Sequence, residues 1–360
     1  MNSVDQRPSR VIAWMRLVRL PNVFTIIADV TAAFLLVLGA TDFFESRTQI
    51  GFASHLEPAF QYVRLFVAAV ALYWAGMILN DVFDIRRDAR LRASRPLPKR
   101  DISVAAARRV GWCLLVIGVA VAGSLSSLSL GIAVLLAAMI VAYDGPGKRF
   151  WFAPLLMGGC RTLSFLLGSA AAWHLVSGGS VVGLTDPNVG QDLPSGLGDV
   201  TSVGLPIVCV AFAVGMGIYI VGITTFARRE ALGDRSIHLI LGGLAMLAGG
   251  AVIATSPRWG FSEGFFRWSA MPDRAAWRFD ARFVFAGSIA IMLTPVYARA
   301  WQAIAKPSPS LIGRTIGTAL LAIIPLSSVI TFLAAGPIWA FLVFSLLLPS
   351  RVLAQKFALT

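Results

Sequence analysis

The chain has 360 residues, of which 57% are hydrophobic and only 14% charged, and its mean hydropathy is +0.76. Soluble domains carry about 25% charged residues, so this composition excludes a soluble globular protein. It predicts a protein that crosses a membrane many times. The cysteines Cys113, Cys160 and Cys209 all lie in apolar runs, which favours free buried thiols over a disulfide framework or a cysteine metal site.

Apolar runs approach or exceed the ~20 residues that a helix needs to span a bilayer. They lie at roughly 20–40, 63–82, 104–124, 128–143, 151–174, 203–227, 236–256, 282–303 and 314–334. A last run, 335–349, follows Gly336-Pro337 and is either a tenth span or the second half of a broken ninth. The prediction is an all-α bundle of about nine transmembrane helices in one domain, residues 1–360.

The net charge of +13 is explained by membrane orientation rather than by nucleic-acid binding. Lys and Arg are concentrated in alternate loops, and the segment 175–202 has none. The positive-inside rule therefore places the N-terminus and the loop after span two in the cytoplasm, in what we expect to be a bacterial-type plasma membrane. The 257–282 loop is an exception, because it carries several arginines although it is predicted to lie outside.

The segment most informative about chemistry is Asn80-Asp81-Val82-Phe83-Asp84-Ile85-Arg86-Arg87-Asp88. It follows an uncharged run that begins at Leu65. If that helix continues through Asp88, the helical spacing puts Asp81, Asp84 and Asp88 on one face. Such a stripe suits Mg²⁺, which prefers oxygen ligands and commonly bridges carboxylates to phosphates. The alternative is a solvated helix end whose acids pair with nearby arginines, but ionisable groups at membrane depth are commonly functional.

Two basic segments are predicted on the same side of the membrane. The first runs from Arg95 through a Pro-Leu-Pro turn to Ser103, a candidate N-cap for span three. The second follows span four and contains Tyr143, Lys148 and Arg149 around a Gly-Pro-Gly turn. Such bases can anchor any inner loop. Beside an acidic stripe they can also neutralise the charge on a departing diphosphate.

Together with Arg19-Leu20-Pro21-Asn22 before span one, these segments resemble the UbiA superfamily of intramembrane prenyltransferases. The resemblance implies a helical bundle around a central cavity, in which Mg²⁺ at the aspartate motif binds a prenyl diphosphate. It implies metal ligands Asp81, Asp84 and Asp88, with Asp81, Asp84 and Lys148 as catalytic residues. It implies substrate-binding roles for Asn80, Asp88, Arg95, Tyr143 and Arg149. The positions of Arg161, Arg228 and Arg229 make them further candidates for substrate binding.

The sequence departs from the family pattern after span six, where a second aspartate motif is usual. The usual acids fall on Thr225 and Arg229, and the nearest carboxylates are Glu230 and Asp234. Arg228 or Arg229 can replace one metal by binding diphosphate directly, since guanidinium suits phosphate geometry. The alternative is a basic inner loop without a catalytic part. This pattern resembles a divergent branch of the superfamily that includes the EboC-like group.

Two isolated polar residues lie within predicted spans. Asp29 is in the middle of span one and either lines the cavity or makes a structural hydrogen bond. Arg161 in span five either extends its side chain to the membrane surface or faces the cavity and its substrate.

The predicted function is Mg²⁺-dependent transfer of a prenyl group to an aromatic or lipid acceptor. The expected partners are a prenyl diphosphate, a hydrophobic acceptor and membrane lipids, without nucleic acid. The alternative is a UbiA-like isoprenoid-lipid carrier or transport component that has lost transfer chemistry.

Overall fold

The computed structural model describes residues 10–40, 53–91, 95–145, 147–177, 205–228, 237–259 and 281–358. These residues are almost entirely helical. In chain order the α-helices are α1 Arg10–Leu17, α2 Leu20–Ala40, α3 Ala53–Phe83, α4 Ile85–Leu91, α5 Val104–Gly123, α6 Ser127–Asp144, α7 Ala153–Val176, α8 Ile207–Ala227, α9 Ile237–Thr255, α10 Ala281–Ala305, α11 Pro309–Leu321, α12 Ile323–Ala335, α13 Pro337–Ser345 and α14 Leu347–Ala358. Short 3₁₀ turns lie at Gly147–Arg149 and Ser256–Trp259.

Ten spans in the described part of the chain are long and apolar enough to cross a membrane. They are Leu20–Gly39, Leu56–Phe83, Val104–Gly123, Ser127–Asp144, Ala153–Val176, Ile207–Ala227, Ile237–Trp259, Arg282–Ala305, Pro309–Ala335 and Pro337–Lys356. The predicted all-α membrane bundle is thereby confirmed, with ten spans instead of about nine.

The tenth span is separate because the backbone breaks at Gly336. This glycine has a φ of +88°, in the region that side chains disfavour, and Pro337 opens the next helix. The last apolar run is therefore not a continuation of α12.

The helices α2, α7 and α8 form the most buried spans, whereas α5 and the C-terminal span are largely exposed. Glycines allow α8 and α9 to pack closely. A Cβ atom added at Gly249 would lie 2.4 Å from the backbone nitrogen of Tyr219, and one at Gly222 would lie 2.5 Å from that of Met246. Small residues at such contacts are typical of helix association in membranes.

Serine side chains cap the first turns of both helices in the α5–α6 hairpin. Ser103 caps α5 and accepts a hydrogen bond from the Ala106 backbone N–H at 3.2 Å, as predicted. A tight turn between Gly123 and Ser127 joins the two helices, and Ser126 caps α6.

The three cysteines are free, as predicted. Cys209 is buried and Cys160 is half-buried, but the expectation that all three are buried is wrong for Cys113. Cys113 is exposed because it lies on α5, whose span is largely uncovered by the bundle.

The helix expected to run through Asp88 is interrupted. α3 ends at Phe83, Asp84 forms a turn, and α4 begins at Ile85. Helix-type hydrogen bonds nevertheless cross the break, from the Asp84 N–H to the Asn80 carbonyl at 3.1 Å and from the Asp88 N–H to the Asp84 carbonyl at 2.8 Å. The helical register is therefore largely kept through the motif.

Candidate functional site

Acidic and basic side chains from separate segments meet where α3 ends. The acids come from the α3–α4 junction and the end of α6, and the bases come from the α1–α2 junction, the 95–103 turn and the 3₁₀ turn after α6. We call this cluster the aspartate site, and it comprises Arg19, Asn80, Asp81, Asp84, Asp88, Arg95, Asp144 and Lys148.

Arg95 binds two of the predicted acids at once. Its Nη1 lies 3.1 Å from Asp81 Oδ1 and 2.6 Å from Asp88 Oδ2. Both aspartates are 5% exposed, so their charges depend on this guanidinium for compensation. The Pro-Leu-Pro turn is held against α1 and α3, because Leu97 and Ile102 pack in one apolar cluster with residues of both helices. This packing positions Arg95 at the end of α3, beside the acids.

Lys148 joins the acidic motif to the end of α6. Its Nζ contacts the Asn80 side-chain carbonyl, lies 2.8 Å from Asp84 Oδ2 and lies 3.8 Å from Asp144 Oδ1. The same ammonium lies 5.5 Å from the centroid of the Tyr143 ring, within the range of a cation–π contact. The Lys148 ammonium therefore contacts both side-chain oxygens and an aromatic ring.

Arg19 is the third base of the aspartate site. Its Nη2 lies 3.4 Å from Asp81 Oδ1, and its backbone carbonyl accepts a hydrogen bond of 3.4 Å from the Tyr73 hydroxyl. The Asn80 amide also donates to Asp81 Oδ1, at 3.2 Å. Asp81 Oδ1 thus receives hydrogen bonds from Arg19, Asn80 and Arg95.

Other predicted site residues lie outside this cluster. Arg149 is exposed beside Lys148. Arg228 is also exposed, and its Nη2 donates to the carbonyls of Phe150 at 2.8 Å and Trp151 at 3.1 Å. Arg229, Glu230 and Asp234 lie outside the described residues.

Arg161 is engaged deeper in the bundle. Its Nη2 donates to the Thr25 carbonyl at 2.8 Å, its Nη1 donates to Thr25 Oγ1 at 3.3 Å, and its Nε makes an ion contact with Asp29 Oδ2. Ser327 on α12 donates to Asp29 Oδ1 at 2.7 Å. Asp29 is fully buried and Arg161 is 7% exposed. We call these four residues the Asp29 network, and it ties α7 and α12 to α2.

Two members of the aspartate site were missed by sequence reasoning. Arg19 lies directly before span one, in the Arg19–Asn22 motif that contributes to the family resemblance. Asp144 lies between the candidate residues Tyr143 and Lys148. Its signal was an acid in the last turn of an otherwise uncharged helix, four residues before a lysine.

The site can be tested for its fit to a divalent metal. The described residues contain no group of three or more His, Cys, Asp or Glu side chains arranged to hold a metal ion, and the acids of the site contact Lys or Arg instead. The donor types nevertheless fit Mg²⁺, because carboxylate and amide oxygens are its preferred protein ligands. One buried oxygen, Asp144 Oδ2, has no hydrogen-bond partner in the described structure. Counted with every carboxylate ionised, four acids against one lysine and two arginines give the site a formal charge of −1.

Comparisons with known proteins agree with this architecture. The family described as "UbiA prenyltransferase family" matches residues 50–238, just over half of the chain. A curated digeranylgeranylglyceryl phosphate synthase from Methanoculleus marisnigri is 35% identical over 121 residues, which are 33% of this chain and 40% of the relative. The matched segment thus spans about two fifths of that relative's length.

Two solved structures share the fold. The apo structure of a UbiA homolog from Aeropyrum pernix K1 has a TM-score of 0.56 at 17% identity and covers 85% of this chain and 97% of that one. A structure from a study of digeranylgeranylglyceryl phosphate synthase in membranes has a TM-score of 0.54 at 16% identity, with coverage of 91% and 99%. At these identities the likeness extends to the fold alone.

Proposed function

We propose prenyl transfer as the function of this chain, from the premise that the chain belongs to the UbiA prenyltransferase family. The donor is a prenyl diphosphate, the acceptor is a hydrophobic lipid or aromatic molecule, and the reaction depends on Mg²⁺. We propose that residues 1–360 form a single domain, with the aspartate site on the cytoplasmic side of a bacterial-type plasma membrane. The observation that carries the proposal is the aspartate site, where acids and bases from separate segments meet at contact distance.

The residues of the aspartate site divide into acids for a cation and bases for phosphate. Asp81, Asp84 and Asp88 would hold Mg²⁺, with the Asn80 amide oxygen beside them. When bound, Mg²⁺ supplies positive charge that neutralises the diphosphate and favours its departure. Carboxylates alone would repel the diphosphate, so the acids and the cation form one functional unit.

Lys148 and Arg95 receive the diphosphate in this proposal. In the transfer step the bond between the prenyl carbon and the diphosphate oxygen breaks, and the electron pair leaves with the diphosphate. The acceptor attacks the carbon and loses a proton. Fixed cations stabilise the charge that develops on the leaving group, since they need no reorganisation as the bond breaks. The apolar bundle keeps water away from the allylic cation.

The remaining predicted cations are assigned supporting roles. Arg149 lies beside Lys148, and Arg228 donates to the carbonyls of the two residues that follow Arg149, so both are exposed cations close to Lys148. We propose that they and Arg229 attract the diphosphate from solvent, and that Tyr143 orients Lys148 through its ring. Arg161 is held by α2, so we propose that it shapes the cavity wall that the substrate meets.

The chemical class of the acceptor is suggested by the names of the curated relatives. The curated relatives are named digeranylgeranylglyceryl phosphate synthases, which favours a lipid acceptor of the glyceryl phosphate type over an aromatic one. Their matched segments cover only 40 to 41% of each relative, so both acceptor classes belong in the test.

A second candidate function is an isoprenoid-lipid carrier without transfer chemistry. Two observations favour it: the second aspartate motif is missing from the sequence, and the acids of the described site are paired with bases. A carrier would bind a prenyl diphosphate and leave its C–O bond intact.

The test uses the purified full-length chain in lipid nanodiscs with labelled prenyl diphosphates from geranyl to geranylgeranyl. Diphosphate release and prenylated product are measured with glyceryl phosphate and aromatic acceptors, with Mg²⁺ or with excess EDTA. We expect Mg²⁺-dependent release, which Asp84→Asn lowers about 100-fold or more, because the loss of a metal ligand weakens the positive charge that stabilises the leaving diphosphate.

Asp101→Asn is the matched control, because it removes one carboxylate from the neighbouring 95–103 turn and should leave the rate unchanged. If the chain binds the prenyl diphosphates but releases no diphosphate with any acceptor, the carrier function would be supported and prenyl transfer rejected.

A further inference from the structure

We propose that Asp144 is a ligand of a second divalent cation at the aspartate site, paired with Asp84 across Lys148. The inference rests on the proposed function, since its cation serves the same diphosphate. It assigns to Asp144, at the end of α6, the role of an acid that is usual after span six, where Thr225 stands instead.

The position of the Asp144 side chain supports this role. Asp144 is the last residue of α6 and is 4% exposed. Its Oδ1 lies 3.8 Å from Lys148 Nζ, which in turn lies 2.8 Å from Asp84 Oδ2 and contacts the Asn80 amide oxygen. The Lys148 ammonium thus contacts carboxylates from two separate segments, the α3–α4 turn and the end of α6. The ion contact with Lys148 turns the Asp144 carboxylate toward the aspartate site.

The second carboxylate oxygen of Asp144 is unused. Asp144 Oδ2 is fully buried and has no hydrogen-bond partner in the described structure. A buried acceptor without a partner loses its hydration without compensation, which costs about 1–3 kcal/mol and more for a charged group. A site that retains such an oxygen is suited to a ligand that supplies the missing contact.

A purely structural role does not explain this residue. The C-terminal end of a helix carries partial negative charge, so an acid in the last turn is unfavourable there. Its one ion pair, with Lys148, is long at 3.8 Å, and Lys148 has a closer partner in Asp84. Asparagine or serine would end the helix without a buried charge.

Charge balance points to more than one cation. The aspartate site has a formal charge of −1, and a prenyl diphosphate adds about three more negative charges, because its terminal phosphate behaves like a phosphate monoester. One divalent cation would leave an excess of negative charge at membrane depth, whereas two bring the assembly to neutrality. Charges without compensation are costly there. Asp144 and Asp84 are the acids placed for the second ion, because both approach Lys148, whereas Asp81 and Asp88 lie together at Arg95 and serve the first ion, with Asp84 shared between the two ions.

The test counts bound ions. Mn²⁺ replaces Mg²⁺ as a spectroscopic probe, and inorganic pyrophosphate replaces the substrate, with the full-length chain in nanodiscs. The number of Mn²⁺ bound per chain is measured by electron paramagnetic resonance of the free ion. We expect two ions for the wild type and for Asp101→Asn, and one for Asp144→Asn. Asp144→Glu should keep the second ion with weaker affinity, because it retains the carboxylate.

Thermal unfolding without metal serves as the folding control. A structural acid would lower the unfolding temperature in Asp144→Asn and leave the Mn²⁺ count at two, which would overturn the inference. Loss of one ion in Glu230→Gln or Asp234→Asn, with Asp144→Asn retaining two, would overturn it as well. A wild type that binds a single ion, lost in Asp84→Asn, would reject this inference and leave the proposed function standing. A wild type that binds none would reject the metal-dependent function itself.

Discussion

Replacing Asp29 by asparagine tests the buried charge pair of the Asp29 network. Asp29 is fully buried, and its oxygens contact Arg161 Nε and the Ser327 hydroxyl. Asparagine has nearly the same shape and can still accept the Ser327 hydrogen bond. The substitution therefore removes the negative charge and leaves the Arg161 guanidinium buried without a counter-ion.

The expected cost follows from an asymmetry between the two partners. Arg161 cannot release its proton, so Asp29→Asn should destabilise the fold by about 3 kcal/mol or more, as for other broken buried pairs. Arg161→Met leaves Asp29, which can take up a proton and become neutral. That variant loses chiefly the hydrogen bonds to Thr25, about 1 kcal/mol within a membrane. The double variant should resemble Arg161→Met, since it contains no unpaired charge.

Thermal unfolding in detergent, followed by tryptophan fluorescence, measures this order. At about 2 °C per kcal/mol, Asp29→Asn should lower the unfolding temperature by roughly 6 °C and Arg161→Met by roughly 2 °C. Adding Arg161→Met to Asp29→Asn should raise the unfolding temperature again. If Arg161→Met is the more damaging change, or if the two effects simply add, the pair does not act through the charge balance argued here.

Two further predictions concern packing and capping. Gly249→Ala should destabilise the fold by about 1–3 kcal/mol, because its Cβ would lie 2.4 Å from the Tyr219 nitrogen. Gly287→Ala, with nothing within 4 Å of its Cβ, is the matched control and should be neutral or stabilising, so equal unfolding temperatures would contradict the close α8–α9 contact. Ser103→Ala should cost about 1 kcal/mol through loss of the cap on the Ala106 N–H, and Ser103→Asp should restore it in the same unfolding assay.

The membrane architecture could be predicted because its signals are local and long. A helix needs about 20 apolar residues to span a bilayer, so runs such as the one that forms α8 can be recognised directly in the sequence. The same holds for Ser103, whose capping role depends on neighbours within three residues. The sequence at Gly336-Pro337 is compatible with either a kinked ninth span or a separate tenth span, since a glycine and a proline can kink a helix or end it.

The pairing of Asp29 with Arg161 in the Asp29 network could not be predicted in the same way. Asp29 and Arg161 are 132 residues apart, and each alone looked like an isolated polar residue. A usable signal existed: Asp29 lies nine residues after Leu20 and Arg161 eight after Ala153, at the starts of their spans. Spans that begin on the same side place such residues at equal depth. That argument gives depth but not which helices are neighbours, so it could not assign the partner.

The pairing of acids with bases in the aspartate site is compatible with a site for a cation and a diphosphate. Asp81 Oδ1 accepts three hydrogen bonds, and the one from Arg19 is the longest at 3.4 Å. Arg19 also has a φ of 49°, which is unfavourable for a residue with a side chain, and its side chain is 37% exposed. We therefore expect Arg19 to release Asp81 first. Each base freed from an acid can bind a phosphate oxygen, and each freed acid can bind a cation, so the exchange conserves the number of charge contacts. Under the proposed function, the bases would hold the acids in place until the diphosphate and its cation bind.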